Sequence, residues 1–121
     1  MNENYIWKIN GCEFELDMED AETAEKYLSA IRILENCQNQ KVTDIAEKIR
    51  TYCKAFREFY DALLGEGTSA KIFDGIKDNA RKYDAVYESL LEFIANQKAV
   101  SSERMNEITR RYAPKRVKKN D

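Results

Sequence analysis

The side chains to test first for chemistry are three cysteines, Cys12, Cys37 and Cys53, and a large set of carboxylates. Histidine is absent, which removes the commonest general base, the usual zinc ligand and the group that activates a nucleophilic Ser or Cys. The cysteines are odd in number and lack C-x-x-C spacing, so they read as reduced core residues of a cytosolic protein. The carboxylates fall on helix starts and polar faces, whereas a paired-carboxylate enzyme sets them against apolar clefts that raise a pKa. Those between Asp17 and Glu22 lack the D-x-D-x-D-G order of a calcium loop, and the positive end of a helix dipole accounts for them. Gly65-Glu66-Gly67-Thr68-Ser69-Ala70-Lys71 invites comparison with a phosphate loop. That loop needs G-x-x-x-x-G-K-[ST] after a buried strand; here a helix precedes, Lys71 lies four residues past Gly67, and Glu66 would repel the anion. The residues therefore predict no catalytic group, no metal and no cofactor: a chain that is not an enzyme.

The basic run Lys115, Arg116, Lys118 and Lys119 could touch nucleic acid or anionic lipid. Neutralising about four phosphates gives weak, salt-sensitive, sequence-blind binding. No aromatic residue interleaves those bases, and an isoelectric point of 5.4 argues against a dedicated nucleic-acid module.

Those groups sit in a chain of 121 residues, one domain by size, in which 43% of residues are hydrophobic and 35% charged. The polar, acidic start does not read as a signal peptide, and no apolar run approaches the roughly 20 residues of a membrane span. Net charge is −2 but unevenly placed. Residues 1–35 carry nine acids and three bases, and residues 101–121 carry seven bases and three acids. Such a chain can attract a partner of one sign or its own copies head to tail; two solvated ends are the simpler alternative.

The elements that must position these residues begin with a hairpin. Asn10-Gly11 between two alternating runs predicts a type I′ turn. A two-residue loop sets Ile9 opposite Cys12, Trp7 opposite Phe14 and Tyr5 opposite Leu16, with Lys8–Glu13 and Ile6–Glu15 on the other face. Asp17 is expected to cap a helix carrying Ala24, Tyr27, Leu28, Ile31 and Leu34 on one face. The polar stretch 38–41 reads as a loop, or as the middle of one longer helix. From Val42 to Leu64 an apolar, aromatic stripe holds for more than three heptads, wider than a coiled-coil seam requires. Core packing explains most of it, and a surplus able to accept a partner helix is the functional alternative. Gly65 stops that helix, Thr68 or Ser69 caps a short one, and Gly75 ends it. A long helix follows from about 78 to 97. Ser101 or Ser102 caps a final stretch bearing Met105, Ile108 and Tyr112, which Pro114 terminates. The predicted fold is thus mainly α: a β-hairpin at about 5–16 and a bundle of four to five helices within one domain, 1–113, then a disordered basic tail, 114–121.

The run Phe56-Arg57-Glu58-Phe59-Tyr60-Asp61-Ala62-Leu63-Leu64-Gly65-Glu66-Gly67-Thr68-Ser69-Ala70-Lys71-Ile72-Phe73-Asp74-Gly75 is an aromatic helix entering a G-E-G-T loop and K-I-F-x-G. With a hairpin of the form x-I-x-K-I-N-G-x-x-F-E-L, it resembles small proteins of the tail modules of phages and prophages of Gram-positive bacteria. Proteins in that position resemble tail assembly chaperones, encoded between the major tail protein and the tape measure. The likeness spans about residues 5–97 loosely and 56–75 more specifically.

That resemblance implies a protein of the bacterial host cytoplasm, absent from the mature virion, that binds the helical tape measure protein and helps recruit the major tail protein around it. It transfers no binding residues, so Phe56, Phe59, Tyr60 and Phe73 are expected at the partner surface on their chemistry alone. It also implies a longer form made by a −1 ribosomal slip, for which Lys118-Lys119-Asn120 can encode the heptamer; an ordinary basic tail is the simpler reading. Two alternatives stand beside it: an accessory or regulatory protein that holds nucleic acid with the basic tail, and a structural tail or connector subunit.

Overall fold

The computed structural model describes residues 3–112. A 3-10 turn over Glu3–Tyr5 leads into strands β1 (Ile6–Ile9) and β2 (Cys12–Glu15), followed by helices α1 (Ala21–Gln38), α2 (Ile45–Leu64), α3 (Thr68–Ile72) and α4 (Ala80–Tyr112). This is the predicted architecture, with four α-helices behind the hairpin.

The hairpin has the predicted register: Ile6 faces Glu15, Trp7 faces Phe14, Lys8 faces Glu13 and Ile9 faces Cys12. Asn10 and Gly11 both take positive φ, 50° and 78°, as a type I′ turn requires. The Leu16 N–H donates to the Tyr5 carbonyl at 2.7 Å and carries the pairing one step further. Trp7 and Leu16 are buried while Lys8, Glu13 and Glu15 stay wet, so one face docks on the helices. An isolated two-stranded hairpin is marginal in water, and this one gains its stability from that docking.

Helix α2 runs through the middle of the molecule. Cys53, Phe56, Phe59, Tyr60 and Leu63 line its buried side, α1 packs along it, and α3, α4 and the hairpin close the remainder of the core. Trp7 stacks on Tyr60, ring centroids 5.9 Å apart, and its indole N–H donates to Ser89 Oγ of α4 at 3.1 Å.

Several boundaries differ from the sequence expectation, each for a local reason. Asp20, not Asp17, caps α1: its carboxylate accepts from the Thr23 N–H, while Asp17 closes a turn by accepting from the Glu19 N–H. The stretch after Gln38, by contrast, is the loop that its polar composition predicts and not the middle of a longer helix. Asp44 caps α2, so the helix starts at Ile45 and Val42 lies before it. Thr68 and Ser69 do not cap α3. Both turn inward and are buried, Gly67 occupies the cap position, and the Asp61 carboxylate from α2 accepts the Ser69 N–H at 2.9 Å. Finally, α4 passes Ser101 and Ser102 without a break, since no Gly or Pro interrupts it there and a serine caps only where the backbone has already turned. The predicted tail, 114–121, lies outside the described residues.

Candidate functional site

The groups with chemical potential are accounted for structurally. Burial pushes the Cys53 thiol up from its ordinary pKa, which keeps it protonated and unreactive. Cys37 Sγ points at the Thr51 carbonyl of α2, and Cys12 Sγ at the carbonyls of Asn10 and Lys71. No group of three or more potential metal ligands occurs among the described residues. In the Gly65–Lys71 loop, the positive end of α3 faces the Asp61 carboxylate, and Lys71 points to solvent. That arrangement closes a helix end and offers no cradle for phosphate.

Phe56, Phe59, Tyr60 and Phe73, expected at a partner surface, all lie in the interior. Phe59 and Tyr60 are 0% exposed. Phe56 packs edge-on to Tyr52 at 4.9 Å, Phe59 edge-on to Tyr60 at 5.0 Å, and Phe73 lies flat on Tyr83 at 3.8 Å. Arg57 fastens the far side of this cluster, donating to Asp78 at 2.7 Å and to Tyr83 Oη at 3.0 Å. The stripe is wide because three neighbours converge on α2: α1, the hairpin, and the α3–α4 arm of the chain. As folded, these rings hold the core together and are not presented to a partner. The Tyr60 hydroxyl is buried with no hydrogen-bond partner among the described residues, and burial holds it strongly protonated.

The apolar surface left over lies elsewhere. Between α1 and α4, with α2 as its floor, is a cleft of about 260 Å³. Ile31 and Leu34 form its α1 wall, Tyr52, Ala55 and Phe56 its floor, and Tyr87 its α4 wall. Leu28, one turn before Ile31, is 58% exposed, and Leu91, one turn after Tyr87, is 39% exposed, so both prolong the apolar walls into solvent. Glu35 stands on one rim. On the other, Asp84 accepts the Tyr52 hydroxyl, with Glu88 a turn further along α4 and Arg81 a turn before. Burial raises the pKa values of Tyr27, Tyr52 and Tyr87, and at Tyr52 the Asp84 carboxylate adds to the effect. These phenols are therefore hydrogen-bond donors at any physiological pH.

Periodicity marked Ile31, Leu34 and Tyr87 as inward residues, and so missed that they only half close over the floor. Nor did any sequence signal mark Gln97. Its side-chain carbonyl accepts the Met18 N–H at 2.6 Å, and its amide donates to the Asn4 and Leu16 carbonyls at 2.7 and 2.8 Å. This single buried amide ties α4 to both ends of the hairpin. Seven residues on, Arg104 pairs with Glu19 and reaches Tyr5 Oη, after which α4 leaves the body. From Ser102 to Arg111 every residue is exposed, including Met105 at 53% and Ile108 at 37%.

Lys115, Arg116, Lys118 and Lys119, on which a nucleic-acid reading depends, lie outside the described residues. Among the described residues no helix is long and apolar enough to cross a membrane. Residues 10–121 match a protein family described as a family of unknown function (DUF6673). No curated protein and no solved structure matches the chain.

Proposed function

We propose for this chain, which belongs to that family of unknown function, a non-enzymatic role as a phage tail assembly chaperone that holds a helical client, the tape measure protein. The major tail protein is its second partner, recruited around the held client. The work is done in the bacterial host cytoplasm, and the chaperone leaves before the virion is complete. The observation that carries this reading is the apolar cleft between α1 and α4, walled by Ile31, Leu34 and Tyr87, prolonged by the exposed Leu28 and Leu91, and left open by the packing of the described residues. An amphipathic helix docks in such a groove through apolar residues at three- and four-residue steps. The resemblance carried by Phe56–Gly75 supports the same role, with Phe56 at the floor of the cleft and the remaining residues building the scaffold behind it.

Co-expression with a phage tape measure protein, which the proposal expects to be encoded beside this chain, tests it. The client's soluble yield should rise with the wild-type chain and return to its unaided level with the Leu28→Asp, Leu91→Asp double variant, whose altered side chains lie at the surface. A client that stays insoluble beside the folded wild type, or one rescued equally by the double variant, overturns it.

A further inference from the structure

Helix α4 presents one end of an interaction twice over: Tyr87 walls the open cleft, with Leu91 exposed a turn beyond it, and Met105 and Ile108 are apolar side chains that nothing among the described residues covers. Met105 and Ile108 are three residues apart and so share one face of the helix, Ser101 continues that face backwards, and Arg104 and Arg111 lie along one edge of it, paired with Glu19 and Glu107. Arg111 lies within the basic C-terminal region that also holds Lys115 and Arg116. The cleft it would suit has apolar walls, Glu35 on one rim and, on the other, Asp84 bonded to Tyr52, with Arg81 a turn before it on α4.

From this juxtaposition we infer that the α4 arm of one copy of the chain docks into the α1–α4 cleft of another. The arm cannot reach its own cleft. Both belong to one uninterrupted helix of 33 residues, which holds Leu91 and Met105 about 20 Å apart along its axis. The lengths agree: the arm from 100 to 112 spans about 18 Å, and the α1 wall from Leu28 to Gln38 about 15 Å. Charge agrees locally: Arg110 and Arg111 leave the end of the arm with a surplus of one positive charge beside Glu107, with which both pair, and Glu35 and Asp84 stand at the cleft. Within one molecule the same attraction is seen in miniature at Glu19–Arg104.

Such a contact is heterologous. Each copy gives an arm and receives one, so assembly continues head to tail until a ring closes or a filament grows. The arm and the client helix proposed above would share this cleft and compete for it, yet the two readings fail separately: loss of client rescue leaves self-association standing, and a wild type that stays monomeric leaves the client reading standing.

Sedimentation of the full chain and of two surface variants tests it. One variant, Met105→Asp with Ile108→Asp, disables the arm; the other, Leu28→Asp with Leu91→Asp, disables the cleft. The wild type should gain mass above 14.2 kDa as concentration rises, and each variant alone should remain at that mass. An equimolar mixture should form a species of twice that mass, because it restores one intact arm and one intact cleft and no more. Should a cleft variant unfold, a charge pair replaces it: Arg111→Glu and Glu35→Lys should each weaken association, and the chain carrying both should recover it. A wild type that stays monomeric, a cleft variant that still pairs by itself, or a mixture that does not associate overturns the inference.

Discussion

The middle of α2 and the end of α4 carry apolar residues at the same helical spacing, and the two regions have opposite fates. Around Phe56, Phe59 and Tyr60 three neighbours close in, and the rings are sealed from water. Around Met105 and Ile108 no neighbour packs among the described residues, because α4 passes beyond the body after the Arg104–Glu19 pair. Periodicity tells which face of a helix is apolar. What covers that face is set by where the rest of the chain runs.

The sharpest way to break this contrast is to truncate one residue on each side of it. Trp7→Ala should cost about 3–5 kcal/mol, the usual loss for a large buried aromatic, since Trp7 stacks on Tyr60 and ties β1 to Ser89. Met105→Ala in dilute solution should change stability by less than about 0.5 kcal/mol. Urea unfolding of the two variants measures both, and similar losses would erase the distinction between body and arm.

Gln97 is the buried anchor between α4 and the hairpin, and Gln97→Leu should cost about 1–3 kcal/mol by stranding the Met18 N–H and the carbonyls of Asn4 and Leu16. Amide exchange at Met18 should speed up in the same variant. An unchanged rate there would mean that the apolar contacts alone hold the hairpin to α4.

The interior has one group that its packing does not need. The Tyr60 hydroxyl is buried without a partner, so Tyr60→Phe should leave the melting temperature unchanged or raise it, by up to about 1 kcal/mol of stability. A clear loss would reveal a hydrogen bond from a buried water.

The smallest expected effect lies at the junction with the arm. The hydrogen bond from Arg104 holds the Glu19 carboxyl below its ordinary pKa. A depressed folded-state pKa contributes stability above the unfolded value, 4.5, and that contribution is lost as pH falls through the folded value. Carboxyl chemical shifts followed by pH titration should place Glu19 below the usual range, and Arg104→Gln should return it there.

What could be read from the chain beforehand follows the reach of each interaction. The hairpin was legible to the residue because Asn10-Gly11 fixes its own turn and the turn fixes the register. Helix starts were less legible, since Asp17, Ser101 and Ser102 are competent caps by type, and whether a cap is used depends on the backbone around it. The cleft was not legible at all. Its walls come from residues 28–38 and 84–91, which no local pattern links, and the aromatic density that suggested a partner surface proved to be what the hairpin and three helices pack against. Gln97 is silent for the same reason: its three partners lie at least 79 positions away.

Hydrogen–deuterium exchange of the wild-type chain, compared between dilute and concentrated solution, tests most directly whether the uncovered surfaces do the binding. Slower exchange on concentration should appear in three segments together, 28–38, 84–91 and 100–112, while the core of α2 and the hairpin stay unchanged. Protection appearing instead in the hairpin, or in none of the three segments, would contradict it.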